Sequence, residues 1–157
     1  MKKRGFTIVE LVMVIIVVGI LAGVSILAIS RSMDDMRLAS AADKIASDLA
    51  YAKSMANATG QWYGVRFIID SNKYIVYLTT GTQETDSFVV RLYEDFGVTI
   101  SSVNFGLGNQ IEFSPLGQPY TDMHGIPMAT ESIITIIRGA VIKTVRITPH
   151  TGRIFIQ

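Results

Sequence analysis

The feature that most restricts this sequence is a long apolar run near its beginning. From Leu11 to Ile29, nineteen residues include one polar side chain, Ser25. A helix rises about 1.5 Å per residue and crosses the ~30 Å hydrocarbon core of a bilayer in about 20 residues. Phe6 to Ile29 supplies 24 residues. We therefore predict a transmembrane helix over residues 6–30.

The charges that flank this run predict its orientation. Lys2, Lys3 and Arg4 precede it, whereas residues 31–37 beyond it carry balanced charges. The basic end of a membrane helix stays in the cytoplasm, so the rest of the chain should be exported. Two simpler interpretations are a plain membrane anchor and a cleaved signal peptide, with residues 28–30 as a weak cleavage site. The run exceeds the 7–15 apolar residues of an ordinary signal peptide.

Glu10 is the exceptional residue of the apolar segment. A carboxylate inside a bilayer costs roughly 2–4 kcal/mol and normally has a partner. No Lys, Arg or His lies between Phe6 and Ser30. We therefore expect the partner to come from another chain, or from an amino group that is freed when the leader is cut.

The beginning of the chain resembles the type IV prepilin signal of type IV pilins and type II secretion pseudopilins. The resemblance lies in the sequence Gly5-Phe6-Thr7-Ile8-Val9-Glu10 after a short basic leader. It implies that a prepilin peptidase removes residues 1–5 by cutting between Gly5 and Phe6, and then N-methylates Phe6. It also implies that Glu10 meets the amino terminus of a neighbouring subunit during assembly.

Two further elements resemble the GspH/FimT-type minor pseudopilins and minor pilins. Residues 111–117 (IEFSPLG) are similar to the I-x-F-x-P-x-G element of that family, and residues 151–153 (TGR) to its closing T-G-R element. The resemblance implies an inner-membrane protein with a cytoplasmic N-terminus and a periplasmic C-terminal domain. Its implied partners are other pilins or pseudopilins, the peptidase, an inner-membrane assembly platform, and the lipid bilayer before assembly.

The spacing of apolar residues in residues 31–59 predicts an amphipathic continuation of the first helix. One apolar stripe recurs at helical spacing through Leu38, Ala42, Ile45, Leu49, Ala52 and Ala56. The charged residues off this stripe, which include Asp48 and Lys53, are interpreted as a solvated face. Gly60 is a plausible C-cap.

Residues 60–157 predict a globular β domain of seven or eight strands. The predicted strands are residues 62–69, 74–79, 87–93, 98–103, 110–113, 132–138, 141–148 and 153–156, and residues 105–109 and 116–130 are predicted loops. Residues 70–72 predict a hairpin turn. The fold class is therefore α+β and pilin-like, with a long N-terminal helix packed on a small antiparallel two-sheet domain.

The sequence lacks the residue patterns of enzymes and of metal sites. It contains no Cys, and neither of its two histidines, His124 and His150, has a second His four residues away. With 14 basic against 13 acidic residues, the composition excludes a strongly basic nucleic-acid binder. We predict no catalytic residue, no metal and no cofactor.

The final 26 residues are nevertheless basic. They contain Arg138, Lys143, Arg146 and Arg153 and no acidic residue. The simpler interpretation is a set of solvated sheet residues. The alternative is a DNA-binding surface, since some FimT-type pilins that resemble this chain are DNA receptors. Those receptors carry a G-R-x-R element, and here Phe155 replaces its second arginine.

The sequence therefore predicts a minor pilin-like structural subunit of a type II secretion pseudopilus or a type IV pilus. The predicted assembly residues are Glu10 with Gly19 and Gly23, whose G-x-x-x-G spacing favours close helix approach. Gram-negative type IV major pilins often close a C-terminal loop with a disulfide, so the resemblance, together with the absence of Cys, favours a minor over a major subunit. The alternatives are a FimT-like DNA-binding pilin for DNA uptake and, if the leader is never cut, a monomeric anchored periplasmic protein.

Overall fold

Helix α1 (Ile8–Thr59) is the first element of the chain. The computed structural model describes residues 7–106, 108–121 and 125–157, and of residues 24–31 it describes the backbone alone. The contacts divide the chain into two units, one ending at Asp34 and one running from Asp35 to Gln157.

The first unit contains the apolar front of α1. Its large apolar side chains from Ile8 to Leu21 are between 49% and 81% exposed. Over the described part of the chain, no helix meets the combined length and hydropathy expected of a membrane span. The transmembrane segment predicted for residues 6–30 lies in part outside the described residues.

The second unit begins with the rear of α1, which packs through a single stripe. All six predicted stripe residues, Leu38, Ala42, Ile45, Leu49, Ala52 and Ala56, are fully buried, and Ala41 joins them. The helix ends as predicted, because Gly60 has a positive φ of 68° and its N–H donates to the carbonyl of Ala56 at 3.0 Å.

The rest of the unit forms two antiparallel sheets. The first has the order β3 (Gln83–Arg91), β2 (Lys73–Thr80), β1 (Trp62–Ile68), β5 (Gln110–Phe113) and β6 (Pro119–Tyr120). The second has the order β4 (Thr99–Asn104), β7 (Ser132–Arg138), β8 (Val141–Ile147) and β9 (Ile154–Ile156). Alternate residues of β1, β7 and β8 join the helix stripe in one buried cluster.

Two of the sequence predictions for this unit are wrong in detail. The strand predicted for residues 87–93 begins earlier, at Gln83, and its end belongs to the short helix α2 (Leu92–Phe96). Gly97 closes this helix with a φ of 65°, and its N–H donates to Tyr93 at 2.8 Å. Within the loop predicted for residues 116–130, Pro119–Tyr120 pairs with β5 and forms β6.

The predicted hairpin turn between β1 and β2 is present as a 3-10 turn (Ile69–Ser71). Asn72 follows it in the left-handed region, with a φ of 48°. Its side-chain oxygen accepts the N–H of Ile100 at 2.9 Å. Asn72 therefore joins the turn of the first sheet to β4 of the second.

Candidate functional site

The start of α1 is fixed by a reciprocal hydrogen-bond arrangement between Thr7 and Glu10. The N–H and the hydroxyl of Thr7 both donate to Oε2 of Glu10, at 3.0 and 2.9 Å. In return, the N–H of Glu10 donates to Oγ1 of Thr7 at 3.3 Å. This is a capping box, in which an N-cap Thr and a Glu three residues later each satisfy a backbone N–H of the first turn.

The capping box gives Glu10 a hydrogen-bonding partner, whereas its charged partner, from another chain or from an amino group freed by cleavage, stays a prediction. Thr7 is a hydrogen-bonding partner within the same chain, although it carries no charge. The T-x-x-E spacing that opens the apolar run is visible in the sequence and is the signal that was missed. The predicted cleavage residues Gly5 and Phe6 lie outside the described residues.

The other two predicted assembly residues, Gly19 and Gly23, lie on the open surface of α1. A Cβ atom built on either glycine has no non-adjacent atom within 4 Å, apart from the backbone of the helix itself. Both positions therefore leave the helix backbone exposed, and the close helix approach indicated by the G-x-x-x-G spacing stays a prediction.

Three of the four predicted DNA-binding cations are engaged within the protein. Arg138 donates from Nη1 to the carbonyls of Phe96 and Gly97, at 3.1 and 2.6 Å, and so caps the end of α2. Lys143 lies 3.7 Å from Asp35, and Arg146 lies 2.8 Å from Glu131.

The structure also does not bring these cations to one face of the second sheet. Lys143 pairs with Ile136 and lies two residues before the buried Val145, on the same face of β8. Arg146 lies on the opposite face, beside Phe155. The side chain of Arg153, by contrast, makes no hydrogen bond or ion pair with any of the residues that the structure describes, and it is exposed. The cations of the basic stretch are therefore distributed, and two of the four, Lys143 and Arg146, lie beside acidic residues.

The two C-terminal family elements meet beside the end of α1. A Cβ atom on Gly152 would lie 3.0 Å from the carbonyl oxygen of Gly117. A Cβ atom on Gly117, in turn, would lie 2.9 Å from Oδ1 of Asn57. Lys53 donates from Nζ to the carbonyls of Thr151 and Gly152, at 2.7 and 3.2 Å. The glycines are therefore required by close backbone packing, and Lys53 is not the solvated residue that was predicted.

A buried carboxylate ties α1 to the first sheet. Asp48 is only 5% exposed, so the prediction that it belongs to a solvated face is wrong. Lys44 contacts both of its oxygens, at 2.7 and 2.8 Å, and the hydroxyl of Tyr74 donates to Oδ2 at 2.6 Å. Burial, followed by the hydrogen bond and the charge of Asp48, raises the pKa of Tyr74 far above its ordinary value.

A second buried carboxylate lies on the far face of the same sheet. Glu112 accepts at Oε1 from Tyr77 at 2.8 Å and from Thr79 at 3.2 Å. The ring of Tyr77 crosses Gly64, where a Cβ atom would lie 2.3 Å from the ring. Burial and the neighbouring Glu112 raise the pKa of Tyr77. Both carboxylates are hydrogen-bonded elements of the packing.

No group of three or more His, Cys, Asp or Glu side chains that would hold a metal ion occurs in the described ranges. His124 lies outside those ranges. His150 is exposed in the turn before β9 and has a φ of 60°.

This fold is that of the pilin-like class of proteins. In it, the C-terminal part of a long helix packs through one apolar stripe onto two small antiparallel sheets. Residues 1–26 match the family model of the prokaryotic N-terminal methylation motif. Residues 41–150, well over half of the chain, match the family model of type II transport protein GspH. The chain belongs to the GspH family, as the sequence elements indicated.

Similar proteins agree with this membership. The chain is 33% identical over 79 residues to type II secretion system protein H of Klebsiella pneumoniae, an alignment that covers 48% of this chain and 44% of that protein. The chain thus spans less than half of this curated relative.

Two solved structures share the fold. The type IV minor pilin FimU of Pseudomonas aeruginosa has a TM-score of 0.61 at 15% identity, covering 79% of this chain and 90% of that one. The minor pseudopilin EpsH of Vibrio cholerae has a TM-score of 0.57 at 16% identity, covering 77% and 96%. The predicted fold class is therefore confirmed.

Proposed function

We propose that this chain is a minor pilin-like structural subunit of a type II secretion pseudopilus or a type IV pilus, and that it acts by assembly rather than by catalysis. One observation carries the proposal. A methylation motif at residues 1–26 and a GspH region at residues 41–150 occur on the same chain, and α1 extends from one into the other.

The first step of the proposed function is processing. A prepilin peptidase cuts between Gly5 and Phe6 and N-methylates Phe6, which leaves a mature chain of 152 residues (157 minus 5). Removal of the three leader cations changes the charge from 14 against 13 to 11 against 13, or −2.

Before assembly, the front of α1 occupies the inner membrane as a single span, with the second unit in the periplasm. Support comes from the apolar side chains between Ile8 and Leu21, which are all at least 49% exposed. Exposed apolar surface of this extent requires lipid or other helices around it. In the filament, the neighbouring subunits take the place of the lipid and pack against residues 11–29, including Gly19 and Gly23.

We propose that Glu10 favours the filament over the free subunit in the membrane. The capping box with Thr7 satisfies part of the hydrogen-bonding capacity of its carboxylate but leaves the negative charge uncompensated. The amino terminus that is created at Phe6 of a neighbouring subunit supplies a positive charge. A charged pair within an apolar environment is strongly favoured over one uncompensated charge.

The experiment compares Glu10→Gln with Glu10→Leu. Both remove the charge, but the amide oxygen of Gln retains an acceptor for Thr7, whereas Leu abolishes the capping box. We expect both variants to be inserted and cleaved, and recovery in sheared filaments to fall at least about tenfold, since one unpaired buried charge costs about 3–5 kcal/mol. Normal recovery of Glu10→Gln would exclude charge pairing, and a defect confined to Glu10→Leu would assign the role to the capping box.

A further inference from the structure

The edge of the second sheet at β9 is open. The sheet order places β8 on one side of β9, and no strand lies on its other side in the described part of the chain. The N–H and carbonyl groups of Gln157 bond to Thr144, and the carbonyl of Arg153 accepts from Thr148. Because pairing alternates along an antiparallel strand, the N–H and C=O groups of Ile154 and Ile156 point away from β8.

This edge forms one wall of a groove in the second unit. Residues of α1, among them Ala50, Ser54 and Asn57, form the other wall, and Gly152 to Ile154 complete it. The groove has a volume of about 370 Å³, within the range of roughly 300–1,000 Å³ that is typical of ligand clefts. A second depression, of about 310 Å³, shares Arg153 with the groove and is also lined by Thr148 and Phe155.

Two cations line this groove, and Arg153 is the one whose side chain makes no hydrogen bond or ion pair with the described residues. The ammonium group of Lys53, the other cation that lines it, is held by the carbonyls of Thr151 and Gly152. Strand β9 itself contains no charged residue, whereas the edge strand β3 carries Glu84, Asp86 and Arg91, the kind of charges that protect sheet edges. The β9 edge therefore combines exposed backbone groups, a groove of mixed polar and apolar lining, and one cation that has no partner among the described residues.

From this combination we infer that the groove between α1 and β9 is a docking site for an extended acidic segment of another protein, which adds a strand to β9 and places a carboxylate against Arg153. Strand addition beside a helix uses backbone hydrogen bonds for affinity and side-chain contacts for selectivity. A nucleic acid fits less well, because phosphate-backbone binding enlists several cations and the other three of this stretch have partners within the protein. This inference does not depend on the assembly role of Glu10.

The test uses the full-length chain in detergent micelles and a defined peptide, acetyl-Asp-Val-Thr-Val-Asp-amide. The peptide has an Asp at each end, so a side-chain carboxylate can reach Arg153 whether the added strand runs parallel or antiparallel to β9. We expect the peptide to slow hydrogen exchange at the amides of Ile154 and Ile156. Arg153→Gln, or replacement of both peptide acids by Asn, should weaken binding by about fivefold, the effect of one exposed charge pair.

Ile156→Pro is the sharper variant. Proline removes the outward N–H of residue 156, and β8 does not use that group. We expect binding to fall at least about tenfold, while Ile156→Val binds like the parent chain. Continued protection of the Thr144 amide, which donates to Gln157 at 2.8 Å, shows that the β8–β9 ladder is intact. If that protection is lost, the same peptide with N-methylated backbone amides replaces the variant and should not bind.

Three results would overturn the inference. The first is equal binding of the acidic and Asn peptides, and the second is full binding by Ile156→Pro with its ladder intact or by the N-methylated peptide. The third is protection of the same amides by a single-stranded oligothymidine but not by the peptide, which would make the groove a nucleic-acid contact.

Discussion

The hydrogen bond from Tyr74 to Asp48 should contribute measurably to the stability of the second unit. Tyr74→Phe removes the hydroxyl that donates to Oδ2 at 2.6 Å and leaves the ring in place. In this variant Asp48 still forms its ion pair with Lys44, so its negative charge remains compensated. A hydrogen bond to a charged group contributes about 1.5–3 kcal/mol, and we expect the free energy of unfolding to fall by about 2 kcal/mol, or Tm by about 6–10 °C.

The assay is thermal unfolding of the full-length chain in detergent, followed by near-ultraviolet circular dichroism. Tyr63→Phe is the matched control, because the ring of Tyr63 is also buried but its hydroxyl makes no hydrogen bond with the described residues. The control should change stability by less than about 0.5 kcal/mol. Adding Tyr74→Phe to an Asp48→Asn background should cost less than in the parent chain. Equal effects of Tyr74→Phe and Tyr63→Phe would refute the reasoning.

Three further predictions concern the same unit. Above about pH 10 tyrosines lose their protons in the unfolded chain, but Tyr74 and Tyr77, whose pKa values are raised, keep theirs in the folded state. Because the folded state then binds more protons, its free energy of unfolding falls as the pH rises. Urea unfolding between about pH 9 and pH 11 should show a shallower decline of this free energy in the double variant Tyr74→Phe/Tyr77→Phe. Gly152→Ala should lower the free energy of unfolding in urea by at least about 2 kcal/mol, and Gly81→Ala by about 1 kcal/mol. Both glycines have a positive φ, but a Cβ atom at residue 152 meets the carbonyl of Gly117, whereas one at residue 81 has nothing within 4 Å. Lys53→Met should lower stability by about 1 kcal/mol through loss of the hydrogen bonds to residues 151 and 152, and an unchanged Tm would contradict this role.

The sequence predicted those parts of the fold that depend on local periodicity. The apolar stripe from Leu38 to Ala56 and the C-cap at Gly60 follow from helical spacing and from one residue with a positive φ. Strands β5 and β7 occur at their predicted bounds, because apolar residues at alternate positions, flanked by turn residues, give a strong local signal.

The missed features depend on partners that are distant in sequence. Asp48 lies three residues after Ile45 and four before Ala52, on the buried face of α1, and its carboxylate is satisfied by Tyr74, 26 residues further along the chain. Helix α2 interrupts a β-rich run and is closed by Gly97, and Arg138, more than forty residues later, donates to the carbonyls at its end. The basic stretch likewise looks uniform in sequence, but the alternation of side chains along β8 places Lys143 and Arg146 on opposite faces. Each of these two cations also lies beside an acidic residue from another part of the unit.

The most direct test of the proposed filament-subunit function is the intact mass of the membrane-extracted protein, with N-terminal peptide mapping, from cells with and without a prepilin peptidase. We expect a 152-residue chain that begins at N-methylated Phe6 when the peptidase is present, and the full 157 residues when it is absent. A chain that begins at Met1 in both strains, or one that is cut near Ser30, would contradict the account.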